Sequence, residues 1–342
     1  MVGLGRLAAT VLAAIVGVAA HSSSGFGDSF YKGKTIRILT SESGSGYDAT
    51  ARLVARHLPT HIDGGLTAVV QTMPGATIKI PLYLSTVVRG ESTVIGAINN
   101  AVAFAPLLGV PQADFDPTTF NWLGSPSTEV GLVLVWHTVP VYSIEDARNR
   151  ELIMGVGNSS SSATFYGRLL NDVLGVRFRL LQGYAGMASA FLAMERGETE
   201  GFPSTLWNSL KSTKADWLAE KKVRILVQYG RNPAPDLPNV PVARDLVKND
   251  EDRMLLDAAA APLDMGRPFT MPPAADPENV SVMRAAVMAT FTDPAFVQEA
   301  EKLHFDVDAT PKSGDDLLAI VRSVYTAPEV VRARLQNLYK QN

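Results

Sequence analysis

Two short polar stretches, Ser41-Glu-Ser-Gly-Ser-Gly46 and Gly157-Asn-Ser-Ser-Ser-Ser162, carry the residue types best suited to holding a small anion. Each lies between a β-type run and a helical pattern. In the first, Gly44 and Gly46 permit tight turning and leave no side chain to block a ligand, while Ser41, Ser43, Ser45, Tyr47 and Asp48 supply polar groups. In the second, Asn158, Ser159, Ser160 and Ser161 offer small hydrogen-bonding groups, with Thr164 one turn further on. The helix after such a loop points unpaired N–H groups and the positive end of its dipole at it, a contribution of about 0.3–1 kcal/mol for a bound anion. Alone, either loop reads as an ordinary helix cap. The two together, at strand C-termini in separate βα runs, point to a ligand, because that edge is where open α/β sheets bind one. Further polar candidates are Tyr184-Ala185-Gly186 before another helix, Asn99 with Asn100 after a strand, and Pro203-Ser204; each reads equally well as a turn.

Catalytic signals fail in turn. Gly33-Lys34-Thr35 has the end of a P-loop, but Asp28 stands at its first glycine and a strand follows rather than precedes it. His57 and His61 are four apart, yet Pro59 lies between them and no HExxH glutamate is present, so a surface helix end is expected rather than a metal site. No G-x-S-x-G elbow occurs, and Gly155-Val-Gly157 lacks the third glycine of a dinucleotide fingerprint. A secreted serine hydrolase would have to use one of Ser159–Ser162 with His137 or His304 as base, without a base paired to it in sequence. No cofactor and no metal are expected.

The elements that must position the loops follow from patterning. The 342 residues are 46% hydrophobic and 19% charged, which allows one large domain or two lobes with a sizeable core. A net charge of -3 gives no pull toward nucleic acid or an anionic membrane. Zero cysteines exclude disulfide scaffolds, thiolate sites and a lipidated N-terminal cysteine. Arg6 followed by an uncharged run from Leu7 to Ala20, ending Val18-Ala19-Ala20, reads as a cleaved signal peptide over residues 1–20. That run is short of the ~20 residues a spanning helix needs. An exported protein, free of the membrane after cleavage, is expected.

Beyond a Ser/Gly-rich leader, strand and helix alternate. Thr35–Thr40, Leu66–Thr72, Thr93–Ile98, Gly131–Trp136, Leu152–Val156, Val176–Leu181 and Val223–Gln228 read as strands. Helical spacing marks Ala51–Leu58, Ile78–Val88, Ala163–Leu174 and Ala185–Arg196. This is the pattern of α/β lobes with mostly parallel sheets. The C-terminal third reads as largely helical, broken by Pro262, Pro268, Pro272 and Pro273.

In order and spacing these segments resemble the substrate-binding receptors of tripartite tricarboxylate transporters, the TctC or Bug family. The resemblance runs from Tyr31-Lys-Gly-Lys-Thr-Ile-Arg-Ile through the loop ending Tyr47-Asp48, Met73-Pro74-Gly75-Ala76, Gly155-x-Gly157-Asn-Ser, Tyr184-x-Gly186, Leu237-Pro-Asn-Val-Pro241 and Thr292-Asp293-Pro294. It departs at Glu42, where the first loop has an acid in place of the family's proline and glycines, and at Arg89-Gly-Glu-Ser-Thr93. The resemblance implies a two-lobed periplasmic binding protein of flytrap type. Lobe one would be 28–136 plus 231–342 and lobe two 137–230, with Val130–Trp136 and Val223–Gln228 as crossings. It implies a monomeric periplasmic receptor without enzymatic activity that captures a small organic anion and delivers it to membrane permease subunits. A ligand-sensing partner of a signalling protein would use the same pocket. Carried over by position, Asp48 caps the first helix or holds its loop. The first loop and Tyr184–Gly186 would hold a ligand carboxylate, and Asn158 to Thr164 would complete the second wall.

Overall fold

The computed structural model describes residues 30–41, 45–73, 78–159 and 161–340. Two mixed sheets form its framework. The first contains β1 (Thr35–Thr40), β2 (Thr67–Thr72), β3 (Val94–Ala97), β4 (Asn121–Ser125), β10 (Phe269–Met271) and β11 (Lys312–Ser313), in the order β11-β4-β10-β3-β1-β2. The second contains β5 (Gly131–Trp136), β6 (Leu152–Gly155), β7 (Phe178–Leu181), β8 (Gly201–Leu206) and β9 (Val223–Tyr229), in the order β7-β6-β8-β5-β9. In the first, β1–β4 run one way and β10 and β11 run against them. In the second, only β5 opposes the rest. Most strands of each sheet therefore share one direction, and their C-terminal ends share one edge.

The helices between β1 and β9 are α1 (Gly46–His57), α2 (Lys79–Thr86), α3 (Ile144–Asn149), α4 (Ser162–Leu174), α5 (Met187–Glu195), α6 (Trp207–Thr213) and α7 (Ala215–Ala219). Those after β9 are α8 (Ala243–Leu246), α9 (Asp250–Met265), α10 (Pro277–Thr292), α11 (Pro294–Lys302), α12 (Gly314–Tyr325) and α13 (Glu329–Lys340). Local chemistry sets their ends. The Ser45 hydroxyl accepts from the Asp48 N–H at the start of α1. Ser161 does the same for Thr164 at α4, and Gly175, at φ 65°, ends that helix in the left-handed region. Pro59 turns the chain after α1 into a short 3-10 helix, Leu58–His61.

The pleat distributes side chains between cores. Leu132 and Leu134 of β5 pack with Phe191, Phe202 and Trp217 of the second sheet's own core. Val133 and Val135 face a larger core that reaches Leu39 and Val94 of the first sheet and Leu255, Val321 and Leu335 of the C-terminal helices. On the other face of the first sheet, Ile36 and Ile38 meet Val54, Val287 and Phe296. The C-terminal helices thus join one sheet to the other.

Three expectations change. Pro262 does not break its helix but lies inside α9. The C-terminal third contributes β10 and β11 to the first sheet, where both run against the strands read from the sequence. The runs expected as crossings, Val130–Trp136 and Val223–Gln228, instead form neighbouring strands, β5 and β9, inside the second sheet; the chain passes between sheets at residues 126–130 and returns over 230–268. Among the described residues no single helix is long and apolar enough to cross a membrane. The signal-peptide segment lies outside the described residues.

Candidate functional site

A cavity of about 630 Å³ opens between the sheets at the strand C-termini. From the first sheet come Tyr47, on the first turn of α1, and Asn99 and Asn100 after β3. From the second come Gly157, Ser161 and Ser162 at the start of α4, Gly186 and Met187 at the start of α5, and Ser204 and Thr205 of β8 with Ser209 of α6. No Asp, Glu, His, Lys or Arg lines it among the described residues.

The two sides present donors differently. On the second-sheet side, Ser161 caps α4 through the Thr164 N–H at 3.2 Å, and its hydroxyl also meets that of Thr164 at 2.9 Å. Helix α5 begins at Gly186, which has no side chain to cap its first turn. Residues of the first turns of both helices line the cavity, the helix end at which unpaired N–H groups and the positive end of the dipole lie. On the first-sheet side, the Tyr47 hydroxyl oxygen accepts from the Asn100 N–H at 3.3 Å. Burial pushes the Tyr47 hydroxyl up to about 12, so it stays protonated and retains a proton to donate.

Of the residues singled out in sequence, Tyr47, Asn99, Asn100, Gly157, Ser161, Ser162, Gly186 and Ser204 line this cavity. The other described ones are not part of its lining. Ser41 follows β1, Ser45 caps α1 and Gly46 begins it. Asp48 is turned inward and meets Arg52 at 2.9 Å, which makes it a brace for the first turn. The Asn158 carbonyl accepts from the fully buried Thr164 hydroxyl at 2.8 Å, and the Ser159 carbonyl from Arg168. Tyr184 is bonded through its N–H to the Val156 carbonyl, Ala185 is exposed, and Pro203 is buried in β8. Ser43, Gly44 and Ser160, with Glu42, lie outside the described residues.

Sequence reasoning missed most of the apolar wall: Phe104, Leu107, Leu108 and Val110 after β3, Phe165 on α4, Ala258 and Ala259 on α9, and Val324, Leu335 and Tyr339 on the last two helices. Nothing local marks them, because apolar residues at helical spacing read the same whether they face a core or a cavity.

The histidine pair is resolved as surface structure: His57 meets Glu299 at 2.6 Å and His61 meets Asp293 at 3.0 Å, so they point to different partners. Among the described residues no group of three or more His, Asp or Glu side chains is placed to hold a metal ion.

Below the first loop, Arg267 binds the Gly46 carbonyl and the Thr50 hydroxyl, each at 2.8 Å, and stacks on Phe305. Its N–H is bonded to Ser125 Oγ, and its Nε lies 3.7 Å from Glu129 Oε1 in the 126–130 passage. The same passage is held by Asp308, whose carboxylate accepts from the Thr128 N–H at 2.7 Å.

No protein-family model and no curated protein matches the chain. Solved structures do. A TctC solute-binding protein from Polaromonas aligns with a TM-score of 0.69 at 17% identity, over 90% of this chain and 98% of that one. The periplasmic binding protein BugD aligns at 0.58 and 17%, over 91% and 98%. MatC from Rhodopseudomonas palustris, solved with bound malate, aligns at 0.57 and 16%, over 90% and 99%. The chain has the two-lobed fold of the TctC and Bug solute-binding proteins.

Proposed function

We propose that this chain is an extracytoplasmic solute receptor that captures a small organic carboxylate between its two sheets and delivers it to a membrane transporter. The observation that carries this reading is the convergence on one cavity of two helix N-termini from one sheet with the Tyr47 hydroxyl and the Asn99–Asn100 segment from the other. Donors without a fixed countercharge suit an anion: several charge-assisted hydrogen bonds at roughly 1.5–3 kcal/mol each, offset by ordering costs, reach the micromolar range. The carboxylate ligands of some neighbours in fold, malate in MatC and adipate in another R. palustris protein, agree with this chemistry. The described wall gives its serines no histidine or carboxylate as a base, which favours binding without turnover.

On this reading lobe one is built on the first sheet, up to about residue 125, together with the C-terminal part of the chain, and lobe two on the second sheet, about residues 131–229, which moves the boundary expected at 136–137 to a hinge at residues 126–130 and in the return segment. Ligand stabilises the closed form because only that form offers both sets of donors. Closed monomer is what the permease subunits recognise in the periplasm, after cleavage of residues 1–20. Ser41, Ser43, Gly44 and Ser160 stay ligand-binding candidates on this reading.

A thermal-shift screen over small organic acids tests the reading. An acid present at 100 times its dissociation constant should add about 2.7 kcal/mol of stability. Stabilisation by neutral amides or esters alone, with no organic acid active, would overturn it.

A further inference from the structure

One buried carboxylate has no part in the site so far described. Glu129, in the 126–130 passage, is buried, and its Oε2 has no hydrogen-bond partner among the described residues. Its Oε1 lies 3.7 Å from Arg267 Nε. The same guanidinium donates to the Gly46 carbonyl and the Thr50 hydroxyl of α1, and Tyr47, between those two residues in sequence, lines the cavity. Other charges around Glu129 have partners of their own. Asp308 accepts from the Thr128 N–H, with Lys312 as a nearby positive charge. Asp306 pairs at 2.6 Å with Lys211 of α6, which also meets Asp236 at 3.2 Å. The Glu129–Arg267 pair is felt at the cavity wall. Burial acts most on the Tyr47 hydroxyl; beyond burial and the Asn100 bond, Arg267 favours a negative charge there and Glu129 disfavours one. A carboxylate seated against Tyr47 meets the same two charges.

We infer that Glu129 regulates the anion affinity of the cavity through its charge, so that capture of the carboxylate is coupled to uptake of a proton at Glu129. This rests on the reading of the cavity as a carboxylate site and names how that site is regulated. Ionised, Glu129 cancels Arg267 and repels the bound anion; protonated, it leaves the Arg267 charge uncompensated beside the start of α1. Glu129 does not line the cavity and acts without touching the ligand. By linkage, an anion that binds more tightly to the protonated form must raise the proton affinity of Glu129 by the same factor. Burial pushes Glu129 up to about 7, which puts the change near neutral pH. Affinity is therefore highest on the acid side, falls as pH rises through about 7 and levels off above it.

Titration calorimetry on the full chain with malate, adipate, hexanoate and benzoate tests this, at pH 6 and pH 8 and, at pH 7, in two buffers of different ionisation heat. The acid that binds most tightly is expected to lose about threefold or more in affinity from pH 6 to pH 8, the size of effect one buried charge has on another across a site. At pH 7 its binding is expected to take up part of a proton, read from the difference in heat between the two buffers. Glu129→Gln is expected to bind at pH 8 as the parent does at pH 6 and to take up no proton. A Glu129 that only supports the fold would leave the uptake at zero in both proteins, and the parent's uptake is read independently of the variant. A parent affinity that does not change with pH, or an uptake undiminished in Glu129→Gln, overturns the inference while leaving the carboxylate receptor in place. Absence of binding by all four acids overturns the receptor reading and the inference with it.

Discussion

The Arg267 guanidinium lies 3.7 Å from the Glu129 carboxylate and at the same time bonds the first carbonyl of α1, so one cation ties the passage between sheets to the loop that faces the cavity. Glu129 is 4% exposed and its Oε2 has no hydrogen-bond partner among the described residues. The 126–130 passage is thus coupled by charge to the start of α1.

That carboxylate sets a pH dependence. Burial, opposed by Arg267 and reinforced by Asp308 and Asp306, pushes Glu129 up to about 7. Between its ordinary range and about pH 7 the folded chain keeps a proton that the unfolded chain has released. Glu129 therefore favours the folded state most at the acid end, and its contribution falls as pH rises, levelling off above about 7. Glu129→Gln is expected to match the parent near pH 5 and exceed it by about 1–3 kcal/mol near pH 8. Denaturant unfolding of both proteins at the two pH values checks this; parallel profiles would refute it.

Gly46 is where the first loop meets Arg267. A Cβ there would stand 3.1 Å from an Arg267 guanidinium nitrogen, a tight contact that makes the guanidinium, bonded to the Gly46 carbonyl and the Thr50 hydroxyl, give by a few tenths of an ångström. Gly46→Val is expected to cost about 1–3 kcal/mol of stability by overpacking and to weaken carboxylate binding. Asp48→Ala, which removes the brace to Arg52, is expected to weaken binding with a smaller change in melting temperature. Unchanged affinity for both in calorimetry would detach this loop from the site.

Much of the frame is legible in the sequence because it is local. The Thr35–Thr40 strand, the serine caps at 45 and 161 and the stop at Gly175 each follow from a few neighbouring residues. What is not legible is long-range or short. β10 and β11 have three and two residues, too few for an alternating pattern, and their pairing partners are over a hundred residues away. Pro262 signals a break, yet the packed face of α9, with Ala259, Ala260, Ala261 and Leu263 buried around it, keeps the helix continuous. The wall from Leu335 and Tyr339 depends on where the final helix docks, which the Arg334 and Gln336 contacts decide. The loops could be found; the far side of the cavity could not.

Gly266 is the tightest point of the return passage. It has φ +56° and a Cβ on it would fall 1.7 Å from the Ser127 carbonyl oxygen, inside the 126–130 passage. No side-chain rotation relieves a clash with backbone, and the left-handed conformation adds strain for any other residue. Gly266→Ala is expected to destabilise the chain by about 2–4 kcal/mol, read as a drop in the denaturant midpoint. A loss below about 0.5 kcal/mol would mean that the passage shifts freely, contrary to the contacts from Arg267 and Asp308 that fix it.

Tyr47 allows binding to be separated from folding. Its hydroxyl oxygen accepts from the Asn100 N–H, no acceptor for its proton is found among the described residues, and the residue lines the cavity with the starts of α4 and α5. Removing the hydroxyl leaves the ring and its packing in place. The lost donor to a carboxylate is a charge-assisted bond, roughly 1.5–3 kcal/mol before water replaces part of it. Tyr47→Phe is therefore expected to weaken carboxylate binding about tenfold or more while lowering the unfolding midpoint only by the loss of the long bond from the Asn100 N–H. Because burial pushes the hydroxyl up to about 12, the difference between parent and variant should not change between pH 6 and pH 9. Equal affinities in calorimetry would place the carboxylate away from Tyr47, on the second-sheet donors alone.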